Sequence, residues 1–134
     1  MSDDYDAACM IEQLGSRVAL PADFFEKKNG AIPVRWVDLR QFPRFYFRSP
    51  AALEVQSTLP ALPRAQKVER AYVKDISRAA VAILHSEQLF PGERMWLTVL
   101  DGVRRSTTVT RCRRIQANCY EVAALFDAAE ASGD

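Results

Sequence analysis

The sequence carries almost no net charge: 18 basic and 17 acidic side chains leave a formal +1. A dedicated duplex-DNA binder normally carries a basic excess, so that class is argued against first. Histidine is nearly absent. His85 is the single copy, with no Cys or His close by in sequence and no evident nucleophile, so it is read as a surface or strand-end residue and not as a catalytic one. Cysteine is scarce and odd in number (Cys9, Cys112, Cys119), with no C-x-x-C pair. A disulfide framework and a zinc site are both disfavoured on that count, and reduced cysteines in a cytosolic protein are the better reading. No apolar run approaches the ~20 residues of a membrane helix, and the acidic N-terminus does not have the build of a signal peptide. Walker loops, G-x-G-x-x-G, paired carboxylates and metal-ligand constellations are missing as well. These absences predict a cytoplasmic protein with no membrane segment, no metal, no cofactor and no enzymatic activity.

What is there fits one small globular domain: 134 residues, of which 49% are apolar. Residues 1–42 read as an N-terminal arm. Within it Ala7 to Leu14 suits a turn or two of helix ending near Gly15. Pro21 to Lys28 reads as a short helix, with Pro21 at its first position and Asn29-Gly30 to stop it. Ile32 to Leu39 alternates loosely, as a strand would. Residues 43–134 read as a β-rich body. Ala52 to Ser57 and Val68 to Ile76 are strand-like, and Ala80 to Leu84 is a continuous apolar run suited to a strand buried on both sides. Phe90-Pro91-Gly92-Glu93 predicts a type II turn. Met95, Leu97 and Val99 alternate up to Asp101-Gly102, a hairpin signal. Ser106 to Arg114 makes the return strand and Asn118 to Phe126 the last one, with Asp127 to Ala131 suited to a short terminal helix. The predicted class is therefore mainly all-β, a small closed barrel or sandwich with short helices in the arm and at the C-terminus.

Two local patterns carry the chemistry: Arg44-Phe45-Tyr46-Phe47-Arg48, and Asp75-Ile76-Ser77-Arg78-Ala79-Ala80. In that order, with a strand between them and a β-rich body after them, they resemble the two signatures of the PilZ domain family, R-x-x-x-R followed by D-x-S-x-x-G. The resemblance spans roughly Arg44 to Phe126 and departs from the family at the last motif position, where Ala80 replaces glycine. It implies a six-stranded antiparallel barrel that binds cyclic di-GMP, as a monomer or homodimer, and acts on a protein effector such as flagellar, pilus or polysaccharide machinery. The implied ligand-binding residues are Arg44, Arg48, Asp75 and Ser77, with Arg78 and Ala80 beside them.

The residue types suit such a ligand. An arginine fork matches both phosphate oxygens and the O6/N7 edge of guanine, and its plane stacks on a purine. Arg44 and Arg48 are four apart, which puts them on one side of a strand or a helix. Asp75 and Ser77 are two apart and would face one way on a strand, the carboxylate accepting from the guanine ring N–H and amino group. A barrel of the same fold that has lost the ligand and serves as a protein-interaction adaptor is the alternative, favoured by Ala80. Five arginines between Arg104 and Arg114 also admit single-stranded nucleic acid, although by alternation Arg111 and Arg113 point one way and Arg114 the other. Trp36 and Trp96 are read as packing residues.

Overall fold

The computed structural model describes residues 3–26, 30–31, 45–56, 64 and 67–127. It comprises one α-helix, α1 (Asp3–Gln13), a single 3-10 turn (Phe24–Glu26), and seven strands: β1 (Gly30–Ala31), β2 (Phe45–Val55), β3 (Val68–Ile76), β4 (Ala80–His85), β5 (Arg94–Thr98), β6 (Arg104–Gln116) and β7 (Cys119–Phe126). The strands run in the order β2-β3-β4-β7-β6-β5, every pair antiparallel, and β5 pairs back onto β2. That last pairing closes a six-stranded barrel, as the sequence predicts, and removes the open edges a sheet of this length would otherwise expose. The two residues of β1 lie on the outer flank of β2, with Ala31 opposite Phe45.

Alternation along each strand decides what fills the barrel. Leu53 and Val55 from β2, Val73 from β3, Val81 and Ile83 from β4, Met95 and Leu97 from β5, and Val122 from β7 point inward and pack as one cluster. Each such side chain contributes roughly 1.5–3 kcal/mol by leaving water. The turns are set by local chemistry. Gly92 has φ +94° and the Glu93 amide bonds the Phe90 carbonyl at 3.0 Å, as a type II turn requires. Gly102 (φ +78°) serves the β5–β6 hairpin, and Asn118 (φ +58°) closes the two-residue turn between Gln116 and Cys119.

The arm packs on the barrel's outer surface. Phe24 joins Leu84 and Cys119 in a second cluster, flanked by Val18, Leu20 and Tyr72. The backbone is pinned on both sides: the Arg70 amide donates to the Gly15 carbonyl and the Ala19 amide to the Asn118 carbonyl, each at 2.9 Å. Among the described residues no helix is long and apolar enough to cross a membrane.

Several expectations change. Of the helix expected over Pro21 to Lys28, the described part (residues 21–26) holds one 3-10 turn, begun by the Phe24 amide on the Pro21 carbonyl at 3.0 Å, and Gly30 opens β1. β2 starts at Phe45, seven residues before the expected Ala52, so much of the arginine segment belongs to the sheet. His85 ends β4 as expected but is 1% exposed, because its parity matches Val81 and Ile83 and turns it into the barrel. The strand expected over residues 32–39, Trp36, Arg44 and the terminal helix beyond Asp127 lie outside the described residues. The three cysteines are free thiols, and burial pushes the pKa of Cys112 and Cys119 up, so both stay protonated.

Candidate functional site

The antiparallel register brings the two sequence patterns to one end of the barrel. Phe45 stands opposite Ile76 and Tyr46 opposite Asp75, so the start of β2 lies against the end of β3. The β3–β4 hairpin, Ser77 to Ala79, projects from the same end. Arg44 lies outside the described residues, but its chain neighbour Phe45 is in this pairing.

β3 carries an extra residue between Val73 and Asp75 relative to β4, where Ile83 and Ala82 are consecutive. Such a bulge changes which residues face inward. Ile76, opposite Val81, packs against the interior cluster, and Asp75, opposite Ala82, stands on the outer side. Asp75 is nevertheless only 5% exposed. Arg48 is on that outer side too. Its guanidinium lies 4.7 Å from the centre of the Phe24 ring, a cation–π contact contributed by the arm. Beside it a cleft of about 200 Å³ is lined by Phe24, Leu84, Lys74, Arg113 and Glu121. Lys74 Nζ donates to Glu121 Oε1 at 2.7 Å and Arg113 Nη2 to the same oxygen at 3.1 Å. Burial raises the Glu121 pKa, but the two cations outweigh it and hold the carboxyl below its usual range.

Ser77 does not sit on the strand beside Asp75, as the two-residue spacing suggested. β3 ends at Ile76 and Ser77 begins the turn. Its Oγ accepts from the Ala80 amide at 3.1 Å and the Ala79 amide at 3.3 Å, while its own amide donates to the Ala80 carbonyl at 2.8 Å. The hydroxyl thus holds the hairpin. Ala80 is in ordinary strand geometry, paired with Leu125, and Asn118 is the sole non-glycine with positive φ among the described residues. A left-handed backbone is therefore not what a glycine would supply at position 80; only the missing methyl group distinguishes it. Arg78 is exposed at the hairpin tip. Asp127 closes the same end: its carboxylate accepts from Ser106 Oγ and, at 2.7 Å, from Thr108 Oγ1, and its amide donates to the Ser106 carbonyl at 3.0 Å. Those bonds keep the Asp127 pKa low against the opposing effect of burial.

The five arginines of β6 do not form one site. Arg104 lies over Trp96 at 4.1 Å and binds Glu54, and Arg105 pairs with Asp101 at 2.7 Å. Arg111 and Arg113 stand opposite Ala123 and Glu121, and Arg114 opposite Tyr120, the split that strand alternation predicts. Two features escaped the sequence reading. The chain spells R-x-x-x-R a second time, from Arg40 to Arg44, and Arg40 lies outside the described residues. Glu69, remote in sequence, is brought together with His85 and Glu87 at the opposite end of the barrel, where no metal-ligand grouping was expected.

The class defined by this geometry is a small closed antiparallel barrel with an arm packed on its wall and a strand-end hairpin facing the start of β2. No protein-family model matches the chain, and no curated protein matches it.

Proposed function

We propose that the chain is a cytoplasmic receptor of the PilZ type that binds cyclic di-GMP at the β2–β3 end of the barrel and makes or breaks no covalent bond. The observation that carries this reading is the Tyr46–Asp75 register, which makes neighbours of two motifs almost thirty residues apart. Arg44 and Arg48 would take the phosphates and a guanine edge, and Asp75 the donor edge of a guanine. Arg78 at the hairpin tip would close over the ligand. Ser77 would act by shaping the hairpin, since its hydroxyl is already bonded within it. A nucleotide that ordered the arginine segment against the barrel would expose or cover a surface for a protein effector.

Isothermal titration of the full chain with cyclic di-GMP tests this. Micromolar affinity is expected, about −8 kcal/mol, and it should vanish in Arg44→Ala/Arg48→Ala. Comparing that variant with Arg40→Ala/Arg44→Ala tells which arginine pair is used. No heat from the wild type, or full binding in both double variants, would end the reading.

A second reading, a protein-interaction adaptor of the same fold without nucleotide, draws on three observations: Ala80 replaces the glycine, Arg48 is engaged by Phe24, and Ser77 by its own turn. Under it Ala80→Gly creates or sharply tightens nucleotide binding. Under the receptor reading the same change alters affinity little, because the backbone at position 80 is already ordinary.

A further inference from the structure

The mouth opposite the hairpin holds a buried imidazole that the hydrogen bonding of the fold does not use. The His85 side chain is 2% exposed, and among the described residues neither Nδ1 nor Nε2 has a hydrogen-bond partner. Glu69, at the start of β3, is also turned into the barrel, opposite Leu53 of β2. Glu87 follows His85 by two residues, and its side chain is nearly half exposed. One donor atom from each of the three residues lies within 4.8 Å of the other two; His85 Nε2 is 3.8 Å from Glu87 Oε2. They border a cavity of about 260 Å³.

We propose that this mouth binds a divalent metal ion of the zinc type through Glu69, His85 and Glu87. The donor set, one imidazole and two carboxylates, suits zinc and its first-row neighbours, whereas calcium and magnesium prefer oxygen alone. Three protein ligands would leave a further position open to water or another ligand. Both ring nitrogens are buried and unbonded among the described residues, so the imidazole has a lone pair to give.

The fold puts cations here already, but they serve only part of the set. Arg17 donates to both oxygens of Glu69, at 3.1 and 3.2 Å, and lies 3.4 Å from Glu87, and Lys67 Nζ lies 3.7 Å from Glu69 Oε1. Both carboxylates are paired and His85 gains no hydrogen bond. A metal ion would satisfy all three. Arg17 is half exposed at its side chain, so it can swing into solvent as the ion enters. The neighbouring Arg64 is held by Glu93 and does not compete for these donors. Donors around zinc stand roughly 3.4 Å apart, so the cluster must contract, and the exposed Glu87 is the member free to move.

The test is a Zn²⁺ titration of the full chain, freed of metal, in competition with a chromophoric chelator, with Co²⁺ as optical probe. One equivalent should bind. His85→Ala and Glu87→Gln should each weaken it at least about tenfold, and Arg17→Ala should tighten it by removing the competing cation. Glu87→Gln alters an exposed side chain and decides the matter if His85→Ala does not fold. No uptake of Zn²⁺ in excess, uptake unchanged by Glu87→Gln, or a thiolate-to-cobalt charge-transfer band placing the ion on cysteine would overturn the site.

Discussion

The two ends of the barrel are built on opposite plans. At the end where β4 finishes, buried carboxylates are paired with arginines across long sequence distances. Glu93 is fully buried and receives Arg64 Nε and Nη2 at 2.8 Å each, plus the Phe90 amide at 2.8 Å. Glu69 receives Arg17. At the hairpin end hydroxyls carry more of the bonding: Ser77 Oγ bonds within its own turn, and the Asp127 carboxylate accepts from two hydroxyls of the neighbouring strand. A buried ion pair is costly to break because the surviving charge is stranded, whereas a local turn bond is replaced by water at small cost. One end is therefore organised for rigidity. The other is the end where the two sequence motifs meet.

The contrast can be broken or sharpened by mutation. The largest effect is expected at the rigid end. Glu93→Ala removes the buried carboxylate that both Arg64 and the Phe90 amide bond, and should cost about 3 kcal/mol, read as a lower urea midpoint with unchanged slope. A loss under about 1 kcal/mol would mean the pair is solvated and the ends are alike.

Next comes pH. Burial holds the folded pKa of His85 below its ordinary value, so between that value and the unfolded pKa, ~6.5, the unfolded chain binds the extra proton. The stability His85 permits is complete above about pH 6.5 and falls as pH drops towards its folded pKa, by at most about 1.4 kcal/mol per pH unit. His85→Gln should flatten this slope in denaturation curves taken below pH 6.5. An unchanged slope would show that the group titrates normally. The smallest change is expected at the hairpin end: Ser77→Ala removes an acceptor from two half-buried turn amides and should cost about 1 kcal/mol, with the melting transition still cooperative.

Much of the barrel was legible from local signals. Val68 to Ile76 has valine and tyrosine in strand positions, and the strand has those bounds. Pro91-Gly92 and Asp101-Gly102 name their turns because few residues tolerate positive φ there. What misled was parity. A single extra residue in β3 puts Ile76 inside and Asp75 outside, and nothing in the residues of β3 announces a bulge. His85 was misplaced for a related reason: a polar residue at a strand end looks solvent-facing unless one knows that β4 is bordered by β3 and β7 within a closed ring. The Glu69–His85–Glu87 grouping follows from the β3–β4 hairpin, whose antiparallel pairing brings the start of one strand to the end of the other. The meeting of the arginine segment with Asp75 likewise follows from antiparallel neighbours, β2 and β3.

The most direct test of the functional reading is amide chemical-shift mapping during a cyclic di-GMP titration. Shifts concentrated at Tyr46 to Arg48 and Asp75 to Ala80, with Glu69, His85 and Glu93 unmoved, are the expected result. Shifts centred on the Glu69–His85 mouth, or none at saturating nucleotide, would contradict it.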